Sequence, residues 1–276
     1  MTGTFIHPSS VVEQGAQLGA NVRVGPFCHI GPDVTLGDGV ELVSHVSVAG
    51  ATTLGDGCKV HPQAVLGQPP QNVRHKGGRT TLIVGRNCTI REGVTFHVGT
   101  DSSRGETRVG DNGNFLAFTH VAHDCIVGDN VTMANGAVLA GHCEVGDFVI
   151  MGGLSAVHQF TRIGHHAFIG GLSGVEGDVI PYGMVIGARG RLRGLNIVGM
   201  KRSGVSRPDI HALRTAYRLI FDPAAPVADN IAAVREKYAG SAAVTDVLDF
   251  MTERGKRHFV VPPLGGKLAD ADDEAE

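Results

Sequence analysis

The sequence predicts a triangular parallel β-solenoid followed by a small helical region, and three observations lead there. Aliphatic residues recur every six positions between Ile6 and Val175, glycine is abundant while large aromatics are scarce, and helical spacing takes over after residue 196. A period of six fits neither a 3.6-residue helix nor the two-residue alternation of one long strand. It fits a repeat in which each hexad supplies one short strand and one turn, with three hexads closing a coil of about 18 residues.

The prism is assigned to residues 1–195. Its first run is Ile6, Val12, Leu18, Val24, Ile30, Leu36, Leu42, Val48, Leu54, Val60 and Leu66. The pattern resumes at Val84, Ile90 and Phe96, then again at Val109, Phe115, Val121, Val127, Met133, Leu139, Val145, Met151, Val157, Ile163, Ile169 and Val175. These side chains are expected to point inward. Stacking at the strand spacing of roughly 4.8 Å gives about nine coils and a column roughly 40 Å tall. Glycine often follows the inward residue, as at Gly19, Gly37, Gly55, Gly85 and Gly128, where it is expected to ease a corner. With 40 glycines, 3 tyrosines and no tryptophan, the core must be thin and built from small units.

Cys28, Cys58, Cys88, Cys125 and Cys143 each stand two residues before an inward position, which assigns them to packing. Their odd number, and the lack of a close C-x-x-C spacing, argue against a disulfide framework or a cysteine-rich zinc site.

Two segments interrupt the hexads. "GQPPQNVRHKGGRTT" (67–81) is polar and rich in Pro and Gly, so it is expected to leave the prism as a loop able to reach a neighbouring subunit. "GTDSSRGETR" (99–108) reads equally as a solvated loop or a contact surface. From 196 to 260 a helical region is expected. Ser206 and Asp209 suggest a capping box, followed by an apolar stripe at Ile210, Leu213, Tyr217 and Ile220. Val227, Ile231, Val234 and Tyr238 suggest a second helix, and Val244, Val247, Leu248 and Met251 a third. This region holds ten Lys or Arg against seven acids, including Arg214 and Arg218 one turn apart, which suits an acidic partner or an ordinary solvated face. Residues 261–276 are acidic and read as a disordered tail. A formal charge of −3 provides no strong field for nucleic acid or membrane. Without a basic, apolar leader or an apolar run near 18 residues, a cytoplasmic location and no membrane span are expected.

The hexads resemble those of the hexapeptide-repeat acyltransferases, and that resemblance implies a left-handed parallel β-helix and commonly a trimer. Against this frame "FTHVAHDC" (118–125) stands out. His123 lies between inward Val121 and Cys125 and should point outward, as should His120. One coil on from His123 falls beside His142 and the next beside His158, so the three line one vertical edge within about 5 to 10 Å. A neutral imidazole is a suitable general base for an alcohol, and Asp124 beside it can orient the ring and stabilise its cation. The cysteines being interior, direct attack on a thioester is favoured over a covalent acyl-enzyme.

Five further motifs narrow the resemblance: "GANVRVGPFCHIGP" (19–32), "HVAHDC" (120–125), "LAGHCEVGDF" (139–148), "GGLSAVHQF" (152–160) and "NIVGMKRSG" (196–204). They are similar to those of the UDP-N-acetylglucosamine O-acyltransferases that begin lipid A synthesis. The resemblance implies transfer of a 3-hydroxyacyl group from acyl carrier protein to the sugar 3-position, by a homotrimer without metal or other cofactor. It implies His123 as base, Asp124 as its partner and the Gly141 N–H as oxyanion donor. His120, His142 and His158 would line the acceptor and acyl cleft with Gln159 nearby, Gly171 would stand at the far end of the acyl groove, and Asn196 and Arg202 would hold the nucleotide. In the first loop Gln71, Asn72 and Arg74 stand where the family has Gln, Asp and Lys. Asn for Asp removes an anionic acceptor, which admits the 3-amino analogue of the sugar as an alternative acceptor. A γ-type carbonic anhydrase shares the prism, but the sequence offers no third zinc ligand of the right kind. A related N-acyltransferase carries an extra N-terminal domain, whereas these hexads begin at Ile6. A purely structural prism would need neither the histidine edge nor the loops.

Overall fold

The hexads form strands of two residues, such as Phe5–Ile6, Val11–Val12 and Gln17–Leu18, dealt in rotation to three sheets. Phe5 pairs in parallel with Arg23 and Ile6 with Val24, so one coil is 18 residues. The computed structural model describes residues 3–253 and 255–263, and within these the sheets hold 11, 9 and 8 strands. Of the tail expected to be disordered, residues 264–276 lie outside the described residues.

Inward positions are sealed from Val24 upward, whereas Ile6 is 41 % exposed because no coil covers it from below. A second inward position lies two residues earlier, filled by Val22, Val34, Val46, Val131 and the five cysteines, all of them free and buried. Two small inward side chains per strand close the thin core that a sequence poor in large aromatics requires.

The glycine after the inward residue has a different role from the expected one. A Cβ on Gly25 would sit 1.8 Å from the Val43 carbonyl oxygen one coil on, and one on Gly128 would sit 2.8 Å from the Asp147 amide nitrogen. These glycines let backbones approach to strand spacing. The corner itself is turned two residues later by left-handed residues including Asn21, Phe27, Phe118, Asp124, His142 and Phe160, with φ of 57° to 64°. Such a conformation costs a side-chain-bearing residue roughly 1–2 kcal/mol. Coil-to-coil hydrogen bonds offset it: the His142 N–H donates to the His123 carbonyl at 3.0 Å and the Phe160 N–H to the Gly141 carbonyl at 3.1 Å. On another edge an aspartate ladder adds to them, Asp129 accepting from the Asp111 N–H at 2.7 Å and Asp147 from the Asp129 N–H at 2.7 Å.

Both insertions leave the prism between the second and third sheets, because the third sheet still pairs Val84 with Leu54 and Val109 with Val84. The turns carrying His123, His142 and His158 lie on that same edge. At the far end Gly183–Ile186 continues the first sheet in parallel, and Arg191–Leu195 adds to it antiparallel.

Four helices follow: α1 (Ile197–Arg202), α2 (Arg207–Ile220), α3 (Val227–Lys237) and α4 (Ala242–Thr252). The six-residue α1 carries no apolar stripe and is absent from the sequence reading. At α2 the Ser206 hydroxyl oxygen accepts from the Asp209 N–H at 3.2 Å and donates to the Asp209 carboxylate at 2.7 Å, a side-chain variant of the expected box. The predicted stripe Ile210, Leu213, Tyr217 and Ile220 is buried, as are Val244, Val247, Leu248 and Met251 of α4. The chain then returns to the prism, where the Asp178 N–H donates to the His258 carbonyl and the Val260 N–H to the Asp178 carbonyl, both at 2.8 Å.

If glycine sets coil spacing, Gly25→Ala should destabilise the fold by about 1–3 kcal/mol through overpacking. Gly153→Ala, whose Cβ would meet nothing closer than the Asn135 carbonyl oxygen at 3.4 Å, should stay within about 0.5 kcal/mol. Urea midpoints compare the two, and equal losses would contradict the assignment.

Candidate active site

Asp124 occupies a left-handed corner and is fully buried. Its carboxylate accepts the Thr100 hydroxyl at 2.7 Å, the Thr100 N–H at 3.1 Å, the Gly105 N–H at 3.2 Å and His123 Nδ1–H at 2.8 Å. Burial pushes its carboxyl up, but the Thr100 hydroxyl and amide, with His123, outweigh burial and hold it below the usual range. In the second insertion Asp101 to Arg104 are exposed, while Thr100 at its root is 1 % exposed and grips the carboxylate.

With Nδ1–H committed to Asp124, His123 presents the Nε2 lone pair outward. The ring lies against Gly141, where a Cβ would sit 2.6 Å from His123 Cε1, so glycine is required for this packing. Among the described residues the Gly141 N–H has no hydrogen-bond partner. Asn72 reaches His123 Nε2 from the first insertion, its Nδ2 at 3.4 Å. The Asn72 Oδ1 accepts the Arg74 N–H at 2.9 Å, which orients the amide with its nitrogen toward the imidazole. This loop thus folds over its own chain's histidine edge.

A cleft of about 570 Å³ opens here, lined by Gln71, His120, His123, Gly141 and His158 above an apolar floor that includes Val138, Ala156 and Val157. His120 Nδ1 is 2.7 Å from the Thr95 hydroxyl. Burial lowers its pKa, the Thr95 contact opposes this, and nearby His123 adds to the lowering. Gln159 follows His158 in the chain but does not line the cleft; it is exposed, and its carbonyl accepts from Arg257 Nε at 2.9 Å.

Several expected positions fall elsewhere. His142 is edge-on to His123 at 5.0 Å but lines a different cavity of about 420 Å³ with Ser103, Arg104, Glu144, Phe160 and Lys256. The left-handed corner turns its ring onto Phe160, stacked at 4.3 Å, and away from the cleft. Burial keeps His142 below the usual imidazole range; Asp124 opposes that, while His123, Lys256 and Arg104 reinforce it. Asn196 caps α1, accepting from the Gly199 N–H at 2.8 Å and donating to the His166 carbonyl at 2.9 Å. With Arg202 it lines a cavity of about 820 Å³ on the first sheet, remote from the cleft within one chain. Gly171 lies in the turn between the first and second sheets; Gly174, three residues on, lines the cleft instead.

The sequence reading found no third metal ligand, yet the corner column brings His142 alongside, so ligand atoms of His123, Asp124 and His142 lie within 4.8 Å of one another. Four hydrogen bonds already occupy the Asp124 oxygens, organising the group around a proton rather than a cation. Reading the sequence also missed Glu176, which lines the cleft, and His97. His97 is 5 % exposed, lies edge-on to His120 at 5.0 Å, and has a buried Nδ1 without a partner among the described residues. The one available signal was its place beside inward Phe96 at the root of an insertion.

Burial, then the neighbouring His120 and His123, pushes His97 down to about 4. Between about pH 6.5 and 4 the unfolded chain therefore binds a proton that the folded chain refuses. Stability is expected to fall as pH drops through that window, by on the order of 3 kcal/mol from this group. Urea unfolding of wild type and His97→Gln at pH 7 and 4.5 checks this; an equal pH dependence in both would refute it.

A family profile described as UDP-N-acetylglucosamine O-acyltransferase, domain 2, matches residues 178–260, and one described as bacterial transferase hexapeptide matches 15–50. The chain is 68 % identical over 272 residues to the acyl-[acyl-carrier-protein]–UDP-N-acetylglucosamine O-acyltransferase of Mesorhizobium japonicum, covering 98 % of each protein. It is 58 % identical to the protein of the same name from Bartonella quintana, covering 95 % of this chain and 96 % of that one. The solved structure of LpxA from Acinetobacter baumannii matches with a TM-score of 0.90 at 37 % identity, over 92 % of this chain and 99 % of that one. The UDP-N-acetylglucosamine acyltransferase of Francisella novicida matches with a TM-score of 0.91 at 30 % identity, over 98 % of this chain and 100 % of that one. With a dyad of buried carboxylate and imidazole on a β-helix edge, and such identity along nearly its whole length, this chain belongs to the UDP-N-acetylglucosamine O-acyltransferase family.

Proposed function

We propose that this chain transfers a 3-hydroxyacyl group from acyl carrier protein to the 3-hydroxyl of UDP-N-acetylglucosamine, the opening step of lipid A synthesis. The observation that carries the reading is the His123–Asp124 pair, with its outward Nε2 beside the Gly141 amide, unpartnered among the described residues, in an apolar-floored cleft. The sugar hydroxyl displaces Asn72 from Nε2 and attacks the thioester carbonyl as Nε2 takes its proton. The Gly141 N–H stabilises the oxyanion, and Asp124 stabilises the imidazolium. Collapse breaks the C–S bond, and His123 returns the proton to the departing thiolate. His120 and His142, both held below the usual imidazole range, remain neutral and do not repel the imidazolium.

Asn196 and Arg202 enter this reading as nucleotide ligands supplied to the cleft by a second copy, in a homotrimer. Gly171 enters as a determinant of acyl length at an edge shared between copies. The helical region with Arg214 and Arg218 is the proposed seat of the acidic carrier protein. The proposed location is the cytoplasm; among the described residues no helix is long and apolar enough to cross a membrane.

On this reading His123→Ala lowers kcat by roughly 10² to 10⁴ while the fold persists, and Asp124→Asn is milder because the base remains. Near-normal turnover of a folded His123→Ala enzyme with acyl carrier protein and UDP-N-acetylglucosamine would end it.

The Asn72 contact favours a second acceptor. A neutral amide at 3.4 Å from Nε2 attracts an ammonium less than a carboxylate would, and amine attack needs the free base. The 3-amino analogue of the UDP-sugar is therefore expected to be acylated, forming an amide. The kcat/KM ratio for amine over hydroxyl should fall in Asn72→Asp; a ratio unmoved by that change would exclude this role.

A further inference from the structure

The segment after α4 brings Arg257 to the cleft edge. Its Nε donates to the Gln159 carbonyl at 2.9 Å, and its Nη2 meets His158 Nδ1. A guanidinium has donors only and stays protonated, so the His158 atom facing it must be a lone pair. The Gln159 carbonyl also lies 3.2 Å from His158 Nδ1, but a bond between them would need a proton where Arg257 already directs one. The consistent network has Arg257 donating to both acceptors, leaving the His158 proton on Nε2.

The rest of the ring's setting supports this. The His158 N–H donates to the Val175 carbonyl at 2.8 Å and its carbonyl accepts the Cys143 thiol at 3.3 Å, fixing the backbone of a residue that lines the cleft with Gly141 and His123. Lys256, next to Arg257, lies over the Phe160 ring at 4.3 Å and holds the segment against the same edge. Two cleft histidines are thus set to opposite tautomers by partners of opposite charge. Asp124 draws the proton of His123 to Nδ1 and leaves Nε2 a base; Arg257 leaves His158 with Nε2–H and no free lone pair.

We propose that Arg257 is a positioning residue that fixes His158 as an Nε2–H hydrogen-bond donor to an oxygen of the acyl donor. This rests on the acyl-transfer reading. The recognised oxygen belongs to the acyl 3-hydroxyl or to an amide of the pantetheine arm. A ring exchanging tautomers would offer its donor only part of the time, and the donor's affinity would fall accordingly.

The test uses the full chain. Long-range 1H–15N spectra of histidine-labelled enzyme should show His158 protonated at Nε2, with Arg257→Met populating the Nδ1–H form. Arg257→Met should raise KM for the acyl donor roughly three- to tenfold, the scale of one lost hydrogen bond, and Arg257→Gln, which keeps an N–H donor, should recover part of it. In a His158→Gln background, where the side-chain amide supplies a donor whatever its neighbour, Arg257→Met should add little. A penalty limited to 3-hydroxyacyl donors assigns the contact to the acyl hydroxyl, and one shared by unsubstituted acyl donors assigns it to the arm. An Nδ1-protonated His158 in wild type, or an equal Arg257→Met penalty in the His158→Gln background, would overturn the proposal. If wild type turns over no acyl carrier substrate, the acyl-transfer reading fails, while the spectra still decide whether Arg257 sets the tautomer.

Discussion

Everything in this molecule depends on coils of 18 residues stacking at the spacing of paired strands. That spacing leaves no room for a Cβ at glycines such as Gly25 and Gly128, places a left-handed residue at the corners, and aligns whatever those corners carry. On the edge between the second and third sheets the aligned corner residues are Asp124, His142 and Phe160, with Lys256 over the last. His123 leans into the room left by Gly141 one coil on. The candidate base is placed by the same regularity that holds the core, and the second insertion then fixes its carboxylate partner.

On this rigid edge, hydrogen bonding sorts chemically identical side chains into different tasks. Asp124 is buried and would resist ionisation, yet donors from Thr100, Gly105 and His123 hold it as a carboxylate. That charge orients one histidine. His142 approaches the same carboxylate at 3.8 Å and is turned onto Phe160, while His97 is buried with no partner for Nδ1 among the described residues. Imidazoles within a few ångströms of one another thus differ in hydrogen-bond partner and burial, and one points a lone pair at the cleft beside an amide without a partner among the described residues.

The two insertions show how a repeat acquires specificity. A loop costs little in chain entropy where the coil already turns, and both emerge at that edge. One covers the cleft with Asn72; the other wraps inward to supply Thr100 and Gly105 to Asp124. The return of the chain after α4 adds Arg257 at the same place, so three segments distant in sequence converge on one wall.

The period of six by itself determined the coil, the inward positions, the burial of the cysteines and the alignment of His123 with the turns at 141 and 159, because each follows from counting along a regular lattice. The motif resemblance pointed to the family that the comparisons establish. What only tertiary structure decided is where side chains turn at the corners and what the irregular segments touch. His142 is in register with the cleft yet faces another cavity, since a left-handed corner redirects its side chain. Glu176 stands one coil on from His158, where the same counting could have placed it, whereas Thr100, His97 and Arg257 lie in an insertion, at its root, or after the repeats end, where no period constrains them. Their contacts arise from long-range folding, which local spacing does not encode, and Asn196 and Arg202, close in sequence to the last coil, come to rest on a different face of the prism for the same reason.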